Sequence, residues 1–323
     1  MAITLEESKV GMADHVDQAV IDEFQRSSIM LQRLQFDNSV SPGTGGSTMV
    51  YGYTQLKTPS TAAFRALNTE YPKSEAKRVE KTAKLKIFGG AFELDRVIIN
   101  TSGAVDELDF QMKQKIEAAS NLFHETVING DSSKNADEFD GLAKLIKGSS
   151  TEQTVTDMDL STSALMTSNA QAFLDLLDDW IALLDGKPDA LLCNSKMLTK
   201  MKGIARRAGY YSRQEDAFGR TIDAWDNIPL LEMGKFYNGT KTQDVIATDS
   251  TAGTTDIYAV KFGLDAFHAV SPIGDKIIAT NLPNLKEPGV LKNGDVEMVA
   301  AVVLKNSLKA GVLHGVQIAA KGA

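Results

Sequence analysis

The sequence predicts an α+β subunit in which an arm, a long β-hairpin, one very long helix and a mixed α/β block follow one another. Residues 47–56 and 83–99 alternate apolar and polar side chains, as strands do. Residues 106–128 instead repeat apolar side chains at steps of three and four, which is typical of an amphipathic helix. After residue 139, short apolar runs and helical patterns alternate and then give way to strands. These three observations predict the fold class.

Residues 1–46 are predicted to form an N-terminal arm. An amphipathic helix is predicted from Asp14 to about Leu34, with Val20 and Phe24 on its apolar side. Proline and three glycines at 41–46 indicate a turn after this helix. That turn lacks the Lys-Ser/Thr pair and the following helix of a phosphate-binding loop, so it does not predict a nucleotide site.

Residues 47–100 are predicted to form an extended hairpin loop. Tyr51 and Tyr53 alternate with polar residues in the first strand, and Leu85 and Ile87 do so in the second. The pair Gly89-Gly90 predicts a bulge or bend in the second strand. A hairpin this long has no core of its own, so we expect it to lean on another copy of the chain.

A basic polar excursion connects these two strands. A solvated ribbon is one interpretation of it, and a surface for neighbouring subunits is the other. DNA binding is disfavoured because Glu75 and Glu80 are interleaved with the basic residues. The inter-subunit contact candidates that the sequence offers are Lys73, Lys77, Arg78, Lys81, Lys84, Phe24 of the arm and Arg213 of a later loop.

Residues 101–140 hold a helix of about 22 residues, roughly 33 Å long. Its apolar stripe consists of Leu108, Met112, Ile116, Ala119, Phe123 and Val127. Asn129 and Gly130 tolerate the left-handed conformation that closes many helices, and turn residues follow at 131–135. We expect Phe139-Asp140-Gly141-Leu142 to enter a strand.

Residues 141–270 are predicted to form a mixed α/β block, and residues 271–323 to return as strands. A Ser/Thr-rich link at 149–168 precedes a helix at 170–184, a buried strand at 190–193 and a helix from Ser195 to about Ala208, capped by Asn194 or Ser195. A polar, glycine-containing stretch at 210–224 is predicted to be a mobile loop. Further strands are predicted at 228–231, 256–262, 266–270, 276–280, 296–304 and 310–319.

Composition and motifs disfavour several functions. No stretch comes near ~18 uninterrupted apolar residues, and the N-terminus has no secretory h-region, so we expect a protein that stays in a cytoplasm-like compartment. The single cysteine, Cys193, excludes an internal disulfide and is predicted to be a buried packing residue. The net charge of −8 argues against broad electrostatic binding to DNA.

No catalytic or metal-binding constellation is recognisable. The four histidines are scattered without a paired spacing. Asp157-Met158-Asp159 opens like a calcium loop, but Thr162 and Ser168 stand where its glycine and glutamate belong. We interpret Asp175, Asp178 and Asp179 as a solvated helix face, with cation binding as the alternative. We therefore expect no enzyme, no cofactor and no metal.

The order of these elements resembles that of the major capsid proteins of tailed bacteriophages, which have the Hong Kong 97-type fold. Residues 20–34 are similar to the arm of that family, residues 47–92 to its extended loop, and residues 106–128 to its spine helix. Short phrases at 126–131, 139–142, 190–194, 227–230 and 258–263 are also similar. No single phrase is diagnostic, but their order spans some 300 residues.

The resemblance implies a peripheral domain with the spine helix (101–140), an axial domain (141–270) and strands that pass back through both (271–323). It also implies assembly into hexamers and pentamers of an icosahedral or prolate shell around double-stranded DNA, in a virion that is built in the cytoplasm of a bacterial host. DNA contact would be weak and non-specific, and a portal and a decoration protein are partners that the family implies.

Two departures from the family matter. The spine helix begins near residue 106 after a short arm, so we expect a separate scaffolding protein or none. A lysine-to-asparagine crosslinking motif cannot be matched to particular residues. The alternative within the same fold is an encapsulin-like compartment that encloses a protein cargo. From another class, an enzyme with a ligand at strand ends would require polar groups that converge in a pocket.

Overall fold

The computed structural model describes residues 29–39, 48–101, 107–208, 212–215, 221–272 and 277–320. The predicted arm helix before Ile29, with Phe24, and the turn at 41–46 lie outside the described residues. The helices within the described ranges are α1 (Ile29–Arg33), α2 (Arg96–Thr101), α3 (Glu107–Asn129), α4 (Leu142–Ile146), α5 (Ser163–Ser168), α6 (Ala170–Ala182) and α7 (Ser195–Ala208).

The strands of the described residues fall into two large sheets and two smaller ribbons. Their bounds are β1 (Phe36–Asn38), β2 (Val50–Thr58), β3 (Lys77–Lys84), β4 (Lys86–Asp95), β5 (Glu152–Thr154), β6 (Ala190–Cys193), β7 (Ser212–Glu215), β8 (Thr221–Trp225), β9 (Ile228–Glu232), β10 (Lys235–Tyr237), β11 (Thr242–Asp244), β12 (Thr254–Val260), β13 (Phe267–Ser271), β14 (Ile278–Asn281), β15 (Leu291–Leu304) and β16 (Ala310–Gln317).

The first large sheet is organised by β15, which pairs with β4 on one side and with β13 and β14 on the other. Helix α3 lies against this sheet, and its buried Met112, Ile116 and Phe123 join the core there. The second sheet has the order β5-β16-β12-β6-β9-β8-β7. Helices α6 and α7 bury their apolar residues in a second core, on the side of the sheet that holds Leu191 and Cys193.

The long helix is confirmed at Glu107–Asn129, but its predicted left-handed end is wrong. Neither Asn129 nor Gly130 has a positive φ. Glycine is required at 130 because a Cβ there would lie 2.4 Å from the Phe139 carbonyl oxygen. The Asn129 side chain instead donates a hydrogen bond to the Val245 carbonyl at 2.7 Å. Close chain packing, not a left-handed turn, selects the glycine.

The segment after the long helix turns into a short helix rather than the predicted strand. Residues 139–141 have no strand partner, and α4 begins at Leu142. Lys144 on this helix forms ion pairs with Asp131 at 2.7 Å and Asp140 at 2.9 Å. Asp131 also accepts hydrogen bonds from the amide and hydroxyl of Ser133. These contacts hold the end of α3 against the start of α4, and we call them the Lys144 clasp.

The predicted bulge at Gly89-Gly90 is also wrong. Strand β4 pairs with β15 over ten consecutive residue pairs without a shift in register. A Cβ at Gly89 would lie 1.9 Å from the Val296 carbonyl oxygen, so close approach of the neighbouring strand excludes a side chain. Leu85 and Ile87 do not share one face of a strand, as their alternation predicted. Leu85 lies between the end of β3 and the start of β4 and is buried, whereas Ile87 is exposed.

Two stretches predicted to lack structure form elements in the second sheet. The link at 149–168 contains β5 and α5, and the polar loop at 210–224 contains the paired strands β7 and β8. The predicted cap of helix α7 is confirmed. Asn194 accepts a hydrogen bond from the Met197 amide at 2.8 Å and donates to Thr255 at 2.8 Å, while itself buried.

Asn194→Ala should destabilise the subunit by about 1–3 kcal/mol, because it removes a helix cap and leaves the buried Thr255 hydroxyl with one partner fewer. Urea unfolding followed by fluorescence measures the change. Asn284→Ala, at an exposed turn, is the matched control and should change stability by less than about 0.5 kcal/mol. Equal effects of the two substitutions would contradict the role of Asn194.

The Lys144 clasp should make stability depend on acid. Hydrogen bonds from Lys144 and Ser133 lower the pKa of Asp131; burial raises the pKa of Asp140, but its bonds to Ser132 and Lys144 lower it overall. Lowered carboxyl pKa values stabilise the fold above the ordinary value of 3.8, and this contribution is lost as the pH falls through the folded values. The melting temperatures of wild type and Lys144→Met should therefore differ at pH 7, and the difference should shrink progressively as the pH falls below 3.8. A constant difference would refute the clasp.

Candidate assembly surfaces

The hairpin of β2 and β3 projects from the subunit without a partner for its distal half. Every residue from 56 to 82 is exposed. The two strands pair from Val50 with Lys84 to Thr58 with Lys77, and residues 59–76 form a long connection between them. This part of the described chain therefore has no core of its own.

The base of the hairpin is anchored to its own subunit. The Tyr51 hydroxyl donates a hydrogen bond to Asp37 at 2.6 Å, and the Tyr53 hydroxyl donates to the Leu304 carbonyl at 3.4 Å. Gln55 donates to the Lys305 carbonyl. The Lys305 ammonium lies 5.3 Å from the centre of the Tyr51 ring, a cation–π contact. The hairpin thus leaves the body of the subunit in a defined direction.

Asp37 supplies the negative charge that opposes the positive charge of Lys305 at the base of the hairpin. Burial raises the pKa of Asp37, but the hydrogen bonds from Tyr51 and the Asn38 amide and the charge of Lys305 lower it overall. Burial and the bond to this carboxylate raise the pKa of Tyr51. Burial and Lys305 lower the pKa of the neighbouring His268 to about 4. At neutral pH the anchor therefore contains an ionised Asp37 and an uncharged His268.

Strand alternation divides the hairpin into two faces. The inner face holds Tyr51, Tyr53 and Gln55 and, from their cross-strand partners, Val79 and Lys81, with Lys77 two residues further along. The outer face holds Val50, Thr54 and Leu56, opposite Lys84, Glu80 and Arg78. The contact candidates predicted from the sequence are therefore split, with Lys77 and Lys81 on the inner face and Arg78 and Lys84 on the outer face.

The basic residues of the hairpin have no ion-pair partner within the described part of the chain. Residues 57–86 contain eight basic and three acidic side chains, whereas the whole chain has a net charge of −8. Lys73 lies in the connection, and its side chain and those of Lys77, Arg78, Lys81 and Lys84 are all exposed. The hairpin is therefore a cationic projection on an anionic protein.

The connection also exposes large apolar side chains that sequence reasoning missed. Phe64 is fully exposed, Leu67 is 88% exposed and Tyr71 is 62% exposed. Arg65 lies 5.2 Å above the Tyr71 ring. The sequence did contain this information, since these three are the only large apolar residues between positions 59 and 76. Exposed apolar groups beside cations indicate a surface that another molecule covers.

The other two contact candidates are not brought to this surface by the described residues. Phe24 lies outside them, and Arg213 lies in β7, where its backbone pairs with Asp223 of β8. The two therefore stay predictions. The hairpin residues are the ones that the structure places together.

Other parts of the described chain offer little chemistry. No group of three or more His, Cys, Asp or Glu side chains in the described ranges could hold a metal ion. Burial raises the pKa of Cys193 to about 12, so this thiol is a packing residue.

A groove of about 510 Å³ runs between α6 and the Trp225–Asn227 turn, with Asp175 and Asp178 on its rim. None of the described helices is long and apolar enough to cross a membrane.

The structure is similar to several solved structures over most of its length. The SrpI encapsulin of Synechococcus elongatus PCC 7942 matches with a TM-score of 0.60 and 12% identity over 97% of this chain and 96% of that one. The capsid of a native GTA particle matches at 0.59 and 13% over 98% and 95%, and a structure from Mycobacterium phage Bobi at 0.56 and 13% over 89% and 90%. No family model and no curated protein matches the sequence. The predicted Hong Kong 97-type α+β fold is confirmed.

Tyr51→Phe should loosen the hairpin base without unfolding the subunit, because it removes only the hydroxyl that bonds Asp37. Hydrogen exchange of the amides paired between β2 and β3 should accelerate by about threefold to tenfold. Tyr237→Phe, which removes an exposed tyrosine hydroxyl that donates to the Gly239 carbonyl, is the control. Unchanged exchange in Tyr51→Phe would mean that the anchor does not hold the hairpin.

Proposed function

We propose that this chain is the major capsid protein of a tailed bacteriophage. It is a structural protein rather than an enzyme, and it assembles into hexamers and pentamers of a closed head around double-stranded DNA. The observation that carries this proposal is the exposed hairpin, whose cations have no ion-pair partner among the described residues and whose Phe64, Leu67 and Tyr71 are exposed. The fold, which the chain shares with the capsids of a GTA particle and of the phage XM1, supports it.

The proposed organisation follows from the same fold. The arm (1–46) and extended loop (47–100) reach neighbouring subunits, a peripheral part (101–140) carries the long helix, an axial part (141–270) surrounds the centre of each capsomer, and residues 271–323 return through both. We propose that Lys73, Lys77, Arg78, Lys81 and Lys84 contact neighbouring copies, together with Phe24 and Arg213. The protein would reside in the virion after assembly in the bacterial cytoplasm.

The remaining partners are proposed from the family resemblance. A portal and a decoration protein are the macromolecular partners, and assembly uses either a separate scaffolding protein or none. Packaged DNA would make only weak, non-specific contact, because an anionic chain repels a polyanion except at its few cationic projections.

An encapsulin-like compartment is the second candidate, favoured by the similarity to the SrpI encapsulin. The two functions share the fold and the exposed hairpin and differ in what the shell encloses. The contents of assembled particles distinguish them.

Electron microscopy of the protein expressed alone tests the proposal. Closed shells, aberrant shells or capsomers are the expected products, and capsomers alone would mean that a scaffold is required. Nuclease-resistant DNA in particles from an infected host would support a phage head, whereas co-purified enzyme would support a compartment. A uniform monomer or dimer under all conditions would overturn both.

Shortening the hairpin should separate folding from assembly. Replacing residues 59–76 by Asn-Gly joins Thr58 to Lys77, which already lie opposite each other, through a two-residue turn. Because every removed residue is exposed, the melting temperature should change by no more than about 2 °C. The variant should nonetheless fail to form closed shells, as judged by negative-stain microscopy and sedimentation. Normal particles would show that the connection is not needed between subunits.

A further inference from the structure

Three ionisable side chains from three neighbouring strands meet near the edge of the second large sheet. His314 lies on β16, Glu152 on the edge strand β5 and Asp256 on β12. Strand β16 stands between the other two strands, so its histidine lies between the two carboxylates. The three side chains are 31%, 29% and 35% exposed, so they interact in half-buried surroundings rather than in open solvent.

Both ring nitrogens of His314 face a carboxylate. Nδ1 lies 2.9 Å from Asp256 Oδ2, and Nε2 lies 3.4 Å from Glu152 Oε1. A neutral imidazole has one N–H and would turn the lone pair of its other nitrogen toward a negative charge. An imidazolium has a proton on each nitrogen. The geometry therefore fits the protonated ring.

The charge of this cluster is controlled by His314. Among the described residues, Glu152 and Asp256 form ion pairs with this histidine and with no lysine or arginine, and Lys147 at the end of α4 is exposed. The contact with Asp256 raises the pKa of His314, burial lowers it and Glu152 raises it further, so the pKa is raised overall. Burial and the two carboxylates raise the pKa of Tyr258 on β12, which stays uncharged.

Glu152 connects the cluster to helix α4. Its other carboxylate oxygen accepts a hydrogen bond from the Gly148 amide at 2.6 Å. Gly148 comes directly after the end of α4, and this helix packs beside α3 in the first core. A chain of polar contacts therefore runs from α4 through Glu152 and His314 to Asp256 in the second sheet.

Strand β5 is short and lies at the edge of its sheet. It pairs in parallel with β16 over three residue pairs, from Glu152 with Val312 to Thr154 with His314. The Val155 amide donates a further hydrogen bond to the His314 carbonyl at 2.9 Å. A short edge strand has few backbone hydrogen bonds, so loss of a side-chain contact changes how often it opens.

We propose that His314 is a proton-controlled brace between α4 and the second sheet. The protonated ring binds Glu152 and Asp256 and holds β5 against β16. When the ring loses its proton, no cation separates the two carboxylates, and β5 opens more often. All of these contacts lie within one subunit, so the inference does not depend on the proposed shell function.

The contribution of the brace to stability depends on pH in one direction. Because the folded pKa of His314 is raised above its ordinary value of 6.5, the contribution is fully present below pH 6.5 and is lost as the pH rises through the folded value. The other histidines of the described residues do not imitate this behaviour. Burial lowers the pKa of His124 and of His268, so both are uncharged above pH 6.5.

Hydrogen exchange at two pH values tests the brace. Wild-type protein is labelled at about pH 6 and about pH 9, with labelling times scaled to the intrinsic exchange rates. Protection of residues 148–155 should be about threefold to tenfold weaker at the higher pH. Residues 228–232 of β9, farther along the same sheet, are the internal control and should keep their protection.

Substitutions separate charge from packing. His314→Gln carries no charge and should show the weaker protection at both pH values. His314→Lys keeps a cation between the carboxylates and should show the stronger protection at both. Glu152→Gln still offers an oxygen to the Gly148 amide but has lost its charge, so the pH dependence should shrink. Asp178→Asn, on the exposed side of α6, is the matched control and should behave like wild type.

Three results would overturn the brace. The first is protection of residues 148–155 that does not change with pH in the wild type. The second is a pH dependence that persists in His314→Gln, because another group would then cause it. The third is a pH dependence of wild-type size in His314→Lys, which decides the question alone if His314→Gln does not fold by circular dichroism.

Discussion

Strand β15 is the element on which the rest of the subunit depends. It is 14 residues long and is hydrogen-bonded on both sides, to β4 along one edge and to β13 and β14 along the other. Its Leu304 end supports the base of the hairpin, and its central part faces helix α3. The fit is tight enough that Gly89 has no room for a Cβ beside Val296. One strand thereby sets the positions of the hairpin and the long helix.

The subunit folds around two cores but leaves the hairpin without one. Fully burying a Leu or Phe side chain is worth about 1.5–3 kcal/mol, so the exposed Phe64 and Leu67 hold stabilisation that the single chain does not use. The unpaired cations add directionality, because they favour a partner of opposite charge. On the proposed function, neighbouring copies cover this surface, and their association then adds to the stability of each subunit.

Local features of the subunit were predictable from the sequence, and contacts between distant segments were not. The long helix and the Asn194 cap follow from residue periodicity and from capping chemistry within a few residues. Gly89 and Gly130 were misinterpreted because strand or chain contacts, rather than local turns, require them. Strand β7 was missed because all four of its residues are polar, so its sequence has no apolar alternation. The pairing of β4 with β15 joins Glu93 to Asn293, 200 positions later, and no local pattern in the sequence predicts this register.

The most direct test of the account is lysine footprinting of the hairpin in free subunits and in assembled particles. Acetylation followed by mass spectrometry reports the accessibility of Lys73, Lys77, Lys81 and Lys84 in one experiment. The account predicts that all four react rapidly in the free subunit and become strongly protected on assembly. Equal labelling of Lys77 and Lys81 in free and assembled protein would contradict the claim that neighbouring copies cover the hairpin.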